Sequence, residues 1–206
     1  MEFSSPSVTL IPDMSAHLQN LKAILAAIMA IVMYSIPVFA QDSAAVQPQR
    51  DLPALYDELA VAGPDDAVLL VREISLEWSK SGSVTVNLLL RRGTDALERG
   101  DADAAIEHFT AVTDHAPDFA AGWNGRAKAW FERGNWGLAV ADLEHVLALD
   151  PNHFEAVFGL AAILEQAGQP QKALAAYQLA LGIHPHYDEA KQAVTRLKPI
   201  VGGRDL

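Results

Sequence analysis

The 206-residue sequence contains no cysteine. That removes disulfides, thiolate-bound metals, a cysteine nucleophile and a lipid-modified cysteine together. The fold must therefore be held by its core alone. Basic residues are scarce as well: 15 Lys and Arg stand against 26 Asp and Glu, a formal net charge of −11. No basic stripe exists to neutralise phosphates, which argues against nucleic acid as a partner. The sequence also lacks an Asn-x-Ser/Thr sequon, a His-Glu-x-x-His pair, a phosphate-cradling glycine loop and a Gly-x-Ser-x-Gly elbow, so the common hydrolytic and nucleotide-dependent chemistries have no foothold. Runs of β-branched residues are few and alanine is abundant, a composition that favours helix.

One long apolar run is present, Ala23 to Ala40, preceded by Lys22 and followed abruptly by Gln41-Asp42. Pro37 breaks it near its end, and Val38-Phe39-Ala40 supplies small or tolerated residues before a cut. This order predicts a secretory signal cleaved after Ala40 and hence an exported protein. The alternative is an uncleaved membrane anchor. Pro37 and the absence of a following Lys/Arg cluster count against it. The acids Glu2 and Asp13 are out of place before a signal, which points to Met14 as the true start. Residues 41–50 read as a disordered lead-in.

The rest of the chain is periodic. Pro117, Pro151 and Pro185 are 34 residues apart, and Gly100, Gly134 and Gly168 keep the same period. So do the small residues Ala105, Ala139 and Ala173 and the large apolar ones Phe109, Leu143 and Tyr177. Each column has a mechanical reason. Proline ends the second helix of a hairpin, and glycine takes the left-handed conformation that closes the first. Alanine lets the two helices cross closely, and the large residue four positions later fills the gap to the next hairpin. Asp118, Asn152 and His186 stand where the next helix needs its N-cap, and Asp101 and Asn135 where the second helices need theirs. Pro170 suits the first turn of the third.

These columns resemble the tetratricopeptide repeat family, over residues 86–119, 120–153 and 154–187. The first-helix pattern reads Leu89, Arg92-Gly93, Ala96, then Trp123, Arg126-Ala127, Trp130, then Val157, Leu160-Ala161, Leu164. Arg92 and Arg126 stand where the family usually has Leu. The resemblance implies an all-α fold, a right-handed α-solenoid of three hairpins, and a non-enzymatic module that binds protein or peptide. The region as a whole resembles small exported tetratricopeptide proteins of Gram-negative bacteria, which implies a periplasmic location. After the repeats, Ala190, Ala193, Val194 and Leu197 predict a C-terminal capping helix ended by Pro199. Before them, Leu52, Leu55, Tyr56 and Leu59, then Ala67, Leu70, Val71, Ile74 and Trp78 predict a helical hairpin over 51–85, broken at Gly63-Pro64, covering the first repeat.

In this family the first helices line a concave groove. Carried over by position, the first repeat contributes Asn87, Leu90, Thr94, Leu97 and Glu98. The second contributes Ala121, Asn124, Lys128, Phe131 and Glu132, and the third Glu155, Phe158, Ala162, Glu165 and Gln166. The basic and amide clamp of chaperone-binding members falls here on Leu90, Thr94, Gly125, Glu155 and Gly159 and is absent. The residues expected to hold a partner are Asn87, Leu90, Thr94, Leu97, Asn124, Lys128, Phe131, Glu155, Phe158 and Ala162, and an amphipathic helix or extended peptide suits them. Cover of this surface by the chain's own N-terminal segment is the competing reading. A homo-oligomer stays open, and the membrane enters only through an uncleaved signal. His184 and His186 flank Pro185, but the spacing places no third ligand, so no metal and no cofactor are expected. His108, His115, His145 and His153 are read as solvated, and the acidic pairs Asp65-Asp66 and Asp188-Glu189 as helix starts.

Overall fold

A computed structural model describes residues 51–203, all within one compact unit, Gln49–Leu206. The apolar run, the cut after Ala40, the Met14 start and the lead-in 41–50 lie outside the described residues. Among these the chain forms nine α-helices and no strand: α1 (Leu52–Val61), α2 (Pro64–Trp78), α3 (Val84–Glu98), α4 (Ala102–His115), α5 (Ala120–Glu132), α6 (Trp136–Leu149), α7 (Phe154–Gln166), α8 (Pro170–Ile183) and α9 (Asp188–Gly202). Helices α3 to α8 pair as three antiparallel hairpins stacked into an α-solenoid.

The glycine column closes each first helix. Gly100, Gly134 and Gly168 have φ of 73°, 75° and 70°, and the next residue's N–H reaches back to the helix: Asp101 to Ala96 O at 2.9 Å, Asn135 to Trp130 O at 2.9 Å, Gln169 to Leu164 O at 3.0 Å. A side chain at these positions would be strained by the left-handed backbone. The alanine column is wholly buried at Ala105, Ala139 and Ala173, and Phe109, Leu143 and Tyr177 are buried beside it. Phe109 shows why small residues are needed around it. A Cβ on Gly93 would lie 2.6 Å from its ring, and one on Gly125 in the next hairpin 2.5 Å.

The N-caps fall one residue later than the proline spacing predicts. Phe119, His153 and Tyr187 cap α5, α7 and α9, not Asp118, Asn152 and His186. The turn after each proline needs one more residue, closed by bonds such as His153 N–H to Asp150 O at 3.1 Å. His153 fills the cap with its ring, Nδ1 accepting the Ala156 N–H at 3.3 Å. Asp101 caps α4 as predicted, its carboxylate accepting the Ala104 N–H. Asn135 sits at its cap without a side-chain bond.

At the C-terminal end, α9 buries Ala190, Ala193, Val194 and Leu197 against α8. Pro199 does not end this helix, which runs on to Gly202. In an exposed last turn the missing N–H leaves a carbonyl that water can satisfy, so proline is tolerated there.

The N-terminal hairpin departs most from expectation. It does not cover the first repeat. Leu55, Tyr56, Leu59, Ala67, Leu70 and Ile74 form one core with Phe154, edged by Ile183 and Tyr187, so α1 and α2 lie on the turns that flank the third repeat. The aromatic residues of those turns give the stripe a partner that the start of α3 lacks. The joint turns at Gly82, with φ of 75°, and Val84 and Leu88 at the start of α3 stay exposed.

Candidate functional site: the concave groove

The first helices α3, α5 and α7 stand side by side, and their shared face opens into a recess of ≈ 580 Å³. Thr94, Leu97, Asn124, Lys128, Phe131, Glu155, Phe158 and Ala162 all line it, joined by Glu98, Glu132 and Tyr187. The register of 34 therefore brings eight of the ten predicted partner residues to one surface. The other two lie elsewhere. Asn87 is occupied by the joint, its Oδ1 accepting from Ser81 Oγ at 2.6 Å and Ser81 N at 3.1 Å. Leu90 lines a second recess of ≈ 170 Å³, whose far wall is Ser75, Trp78 and Ser79 at the end of α2. The hairpin thus borders the groove at one side and leaves the larger recess open.

The floor is aromatic. Phe158 packs against Tyr177 and Tyr187 at ring-centroid distances of 5.2 and 4.9 Å. Burial and the nearby carboxylates of Glu155 and Glu189 push the Tyr187 hydroxyl well above its ordinary pKa, so it is a neutral donor at any physiological pH.

The polar centre is Asn124, Lys128 and Glu155. Lys128 Nζ lies 2.7 Å from Glu155 Oε2, which also accepts from Asn124 Nδ2 at 3.3 Å. Burial pushes the Glu155 carboxyl up, but Lys128, His153 and the Asn124 donor outweigh it and hold it below its usual value. Asn124 is 7% exposed, and its Oδ1 is buried with no hydrogen-bond partner. Because Nδ2 must face the carboxylate, the amide cannot flip, and Oδ1 is left as an acceptor in want of a donor. Of the four acids at the groove positions, Glu165 alone has turned away: Arg196 of α9 and the Tyr177 hydroxyl hold it.

Two features outside the groove need the structure to be seen. Arg126 is no packing defect, since Nε and Nη2 grip both oxygens of Asp142 at 2.8 Å each and Nη1 reaches Thr113 Oγ1 at 3.1 Å. Its guanidinium also lies 4.8 Å from the Trp123 ring centroid. Asp142, on the second helix α6, is buried by this pair. The histidines are likewise not all solvated: His153 is 1% exposed, and His145 packs on Trp123. His186 Nε2 donates to Ala62 O at 3.0 Å, tying the third inter-repeat turn to the N-terminal hairpin. Among the described residues no group of three or more His, Asp or Glu could hold a metal, and no helix is long and apolar enough to cross a membrane.

Stacked hairpins with left-handed glycine closures and a groove of first helices define a helical-repeat binding scaffold. Two family models, both described as tetratricopeptide repeat, match residues 90–144 and 131–197. A TPR repeat-containing protein of Rhizobium etli is 37% identical over 164 residues, 79% of this chain and 80% of that protein. The chain belongs to the tetratricopeptide repeat family. Solved structures agree on the fold. The first repeat domain of Spaghetti bound to the HSP90 peptide SRMEEVD superposes with a TM-score of 0.55 at 21% identity, over 57% of this chain and 94% of that one. An O-GlcNAc transferase of Thermobaculum terrenum gives 0.54 at 26% identity, over 57% of this chain but only 23% of its own length.

Proposed function

We propose that this chain is an exported, periplasmic, non-enzymatic interaction module that holds a peptide or amphipathic helix in its concave groove. The observation that carries the reading is the open recess of ≈ 580 Å³ between the first helices, apolar at Leu97, Phe131 and Phe158 and polar at Asn124 and Lys128. A helix-in-groove partner needs that combination of anchoring surface and a few orienting groups. The Spaghetti domain, similar in fold, is bound to an HSP90 peptide, which supports peptide binding as the use of such a groove. The apolar run ending at Ala40 supports export. The test is photo-crosslinking in cells with a photoreactive residue at position 131 and, separately, at position 144 on the outer face. Adducts at 131 and none at 144 support the groove, and the reverse refutes it.

A second reading, self-association as a structural component of the envelope, draws on one observation. Val68, Leu69 and Leu76 form an exposed apolar stripe on α2, and Val84 and Leu88 stay exposed at the start of α3. Light scattering of the processed protein distinguishes the two: a monomer across a wide concentration range removes this reading.

A further inference from the structure

Resting on the groove reading, we infer that the occupant is a cationic segment, one that presents Lys or Arg side chains among aliphatic or aromatic ones. Three carboxylates line the open recess, Glu98, Glu132 and Glu155, against one cation, Lys128. That cation is already neutralised by Glu155 at 2.7 Å. Glu98 and Glu132 are exposed and make no ion pair among the described residues. They hold the same position in consecutive repeats, and each is the last residue of its helix, α3 and α5. A carboxylate at a helix C-terminus opposes the macrodipole, so both are unfavourable for the fold on its own. A cation bridging into the recess would relieve both.

The second, independent observation is the Asn124 carbonyl oxygen. Its residue lines the same recess, and the oxygen itself is buried with no donor. It asks for an N–H, from a peptide backbone or a cationic side chain, with a small shift of its neighbours to admit it. The rings of Phe131 and Phe158 supply faces that attract ammonium and guanidinium groups. Every unsatisfied group in the recess therefore calls for positive charge or a donor. An anionic peptide would meet two unpaired carboxylates and a lone acceptor instead.

The test uses the processed protein and three fluorescent synthetic peptides of about four helical turns. All share one pattern of Leu and Phe, and their polar positions are all Lys, all Gln or all Glu. The Lys peptide should bind at least about tenfold tighter than the Gln peptide, and the Glu peptide should not bind. E98Q/E132Q should weaken the Lys peptide about tenfold and leave the Gln peptide unchanged. E107Q/E144Q removes the same charge from exposed positions on the second helices and should change neither. If it weakens the Lys peptide as much as the groove pair does, attraction is diffuse and the inference falls. Thr94→Trp, at an exposed position of the recess, blocks the groove without touching the core. Equal Lys and Gln affinities that Thr94→Trp abolishes would overturn the charge inference while the groove reading stands. Lys-peptide binding that Thr94→Trp and Phe158→Ala both leave intact would overturn the two together.

Discussion

The indole of Trp78 lies flat on the imidazole of His153, with ring centroids 3.8 Å apart and planes 4° from parallel. This stack fixes the end of the N-terminal hairpin to the first residue before α7. Trp78 Nε1 also donates to the Tyr56 hydroxyl at 2.9 Å, which donates in turn to Asp150 Oδ2 at 2.5 Å. The hairpin is thus held by a ring stack, a buried aliphatic stripe and a short hydrogen-bonded relay.

The stack makes hairpin docking sensitive to acid. Burial lowers the His153 pKa to about 4, against the opposing pull of Glu155 and Asp150, with Lys128 acting in the same direction as burial. A proton on Nδ1 would also abolish the cap to Ala156. In the unfolded chain the ring titrates near its ordinary value, so the unfolded state binds the extra proton first as pH falls. Stability is therefore lost from about pH 6.5 downward until the folded-state pKa is passed, roughly 2 kcal/mol between about pH 7 and pH 5. His184, lowered by burial and by His186 and Lys191, acts in the same sense. Hydrogen exchange of residues 52–78 should rise over that window. In His153→Asn, which keeps a capping acceptor but cannot titrate, the rise should be largely gone. An identical rise in the variant would remove His153 from the account.

The close approach at Phe109 yields a second prediction, in which two effects of one substitution oppose. Gly→Ala inside a helix gains about 1 kcal/mol from propensity. At Gly125 the new methyl would meet three Phe109 ring atoms within 2.8 Å, and the ring is only 1% exposed. Overpacking of that kind costs roughly 1–3 kcal/mol, so Gly125→Ala should lower stability in denaturant melts. Gly137 on α6 faces open space, and Gly137→Ala should raise it by up to about 1 kcal/mol. Equal effects at both sites would mean that the hairpins do not approach as closely as described.

What was legible in the sequence was whatever repeats. Proline, glycine, alanine and large apolar columns each record a backbone or packing demand met three times, so the solenoid and most of the groove follow from the register. What was not legible occurs once. The destination of the N-terminal hairpin depends on Phe154, Ile183 and Tyr187 being nearby in space, which no local pattern records. Arg126 reads as a departure from Leu until Asp142, one helix away, is seen beneath it. Its third partner, Thr113, lies on α4 of the preceding repeat, so no local pattern joins the three. The cap shift to His153 was hidden because sequence spacing locates a helix start only to within a residue or two.

Export has a direct test. N-terminal sequencing of the protein recovered from cells should begin at Gln41. A full-length species retained in the membrane would instead mean that the apolar run is an anchor.

The last prediction concerns Arg126 and Asp142, whose side chains are 17% and 7% exposed. Hydrogen bonding to Asp142 raises the Arg126 pKa further, against burial, so the guanidinium stays charged. Removing one partner leaves the other charge largely buried with part of its hydrogen bonding gone. Asp142→Ala should therefore cost roughly 3 kcal/mol, near the lower end for a buried pair because Arg126 retains Thr113 and some solvent. Restoring the family's usual residue alone, Arg126→Leu, leaves Asp142 buried without its partner and should be similarly damaging. Combining Arg126→Leu with Asp142→Ala removes both desolvation costs at once, so the double variant should be more stable than Asp142→Ala. Such non-additivity is the mark of two residues acting as one element. If the double variant loses the sum of the single losses, the two side chains act independently, and Arg126 must be kept for its contacts with Trp123 and Thr113.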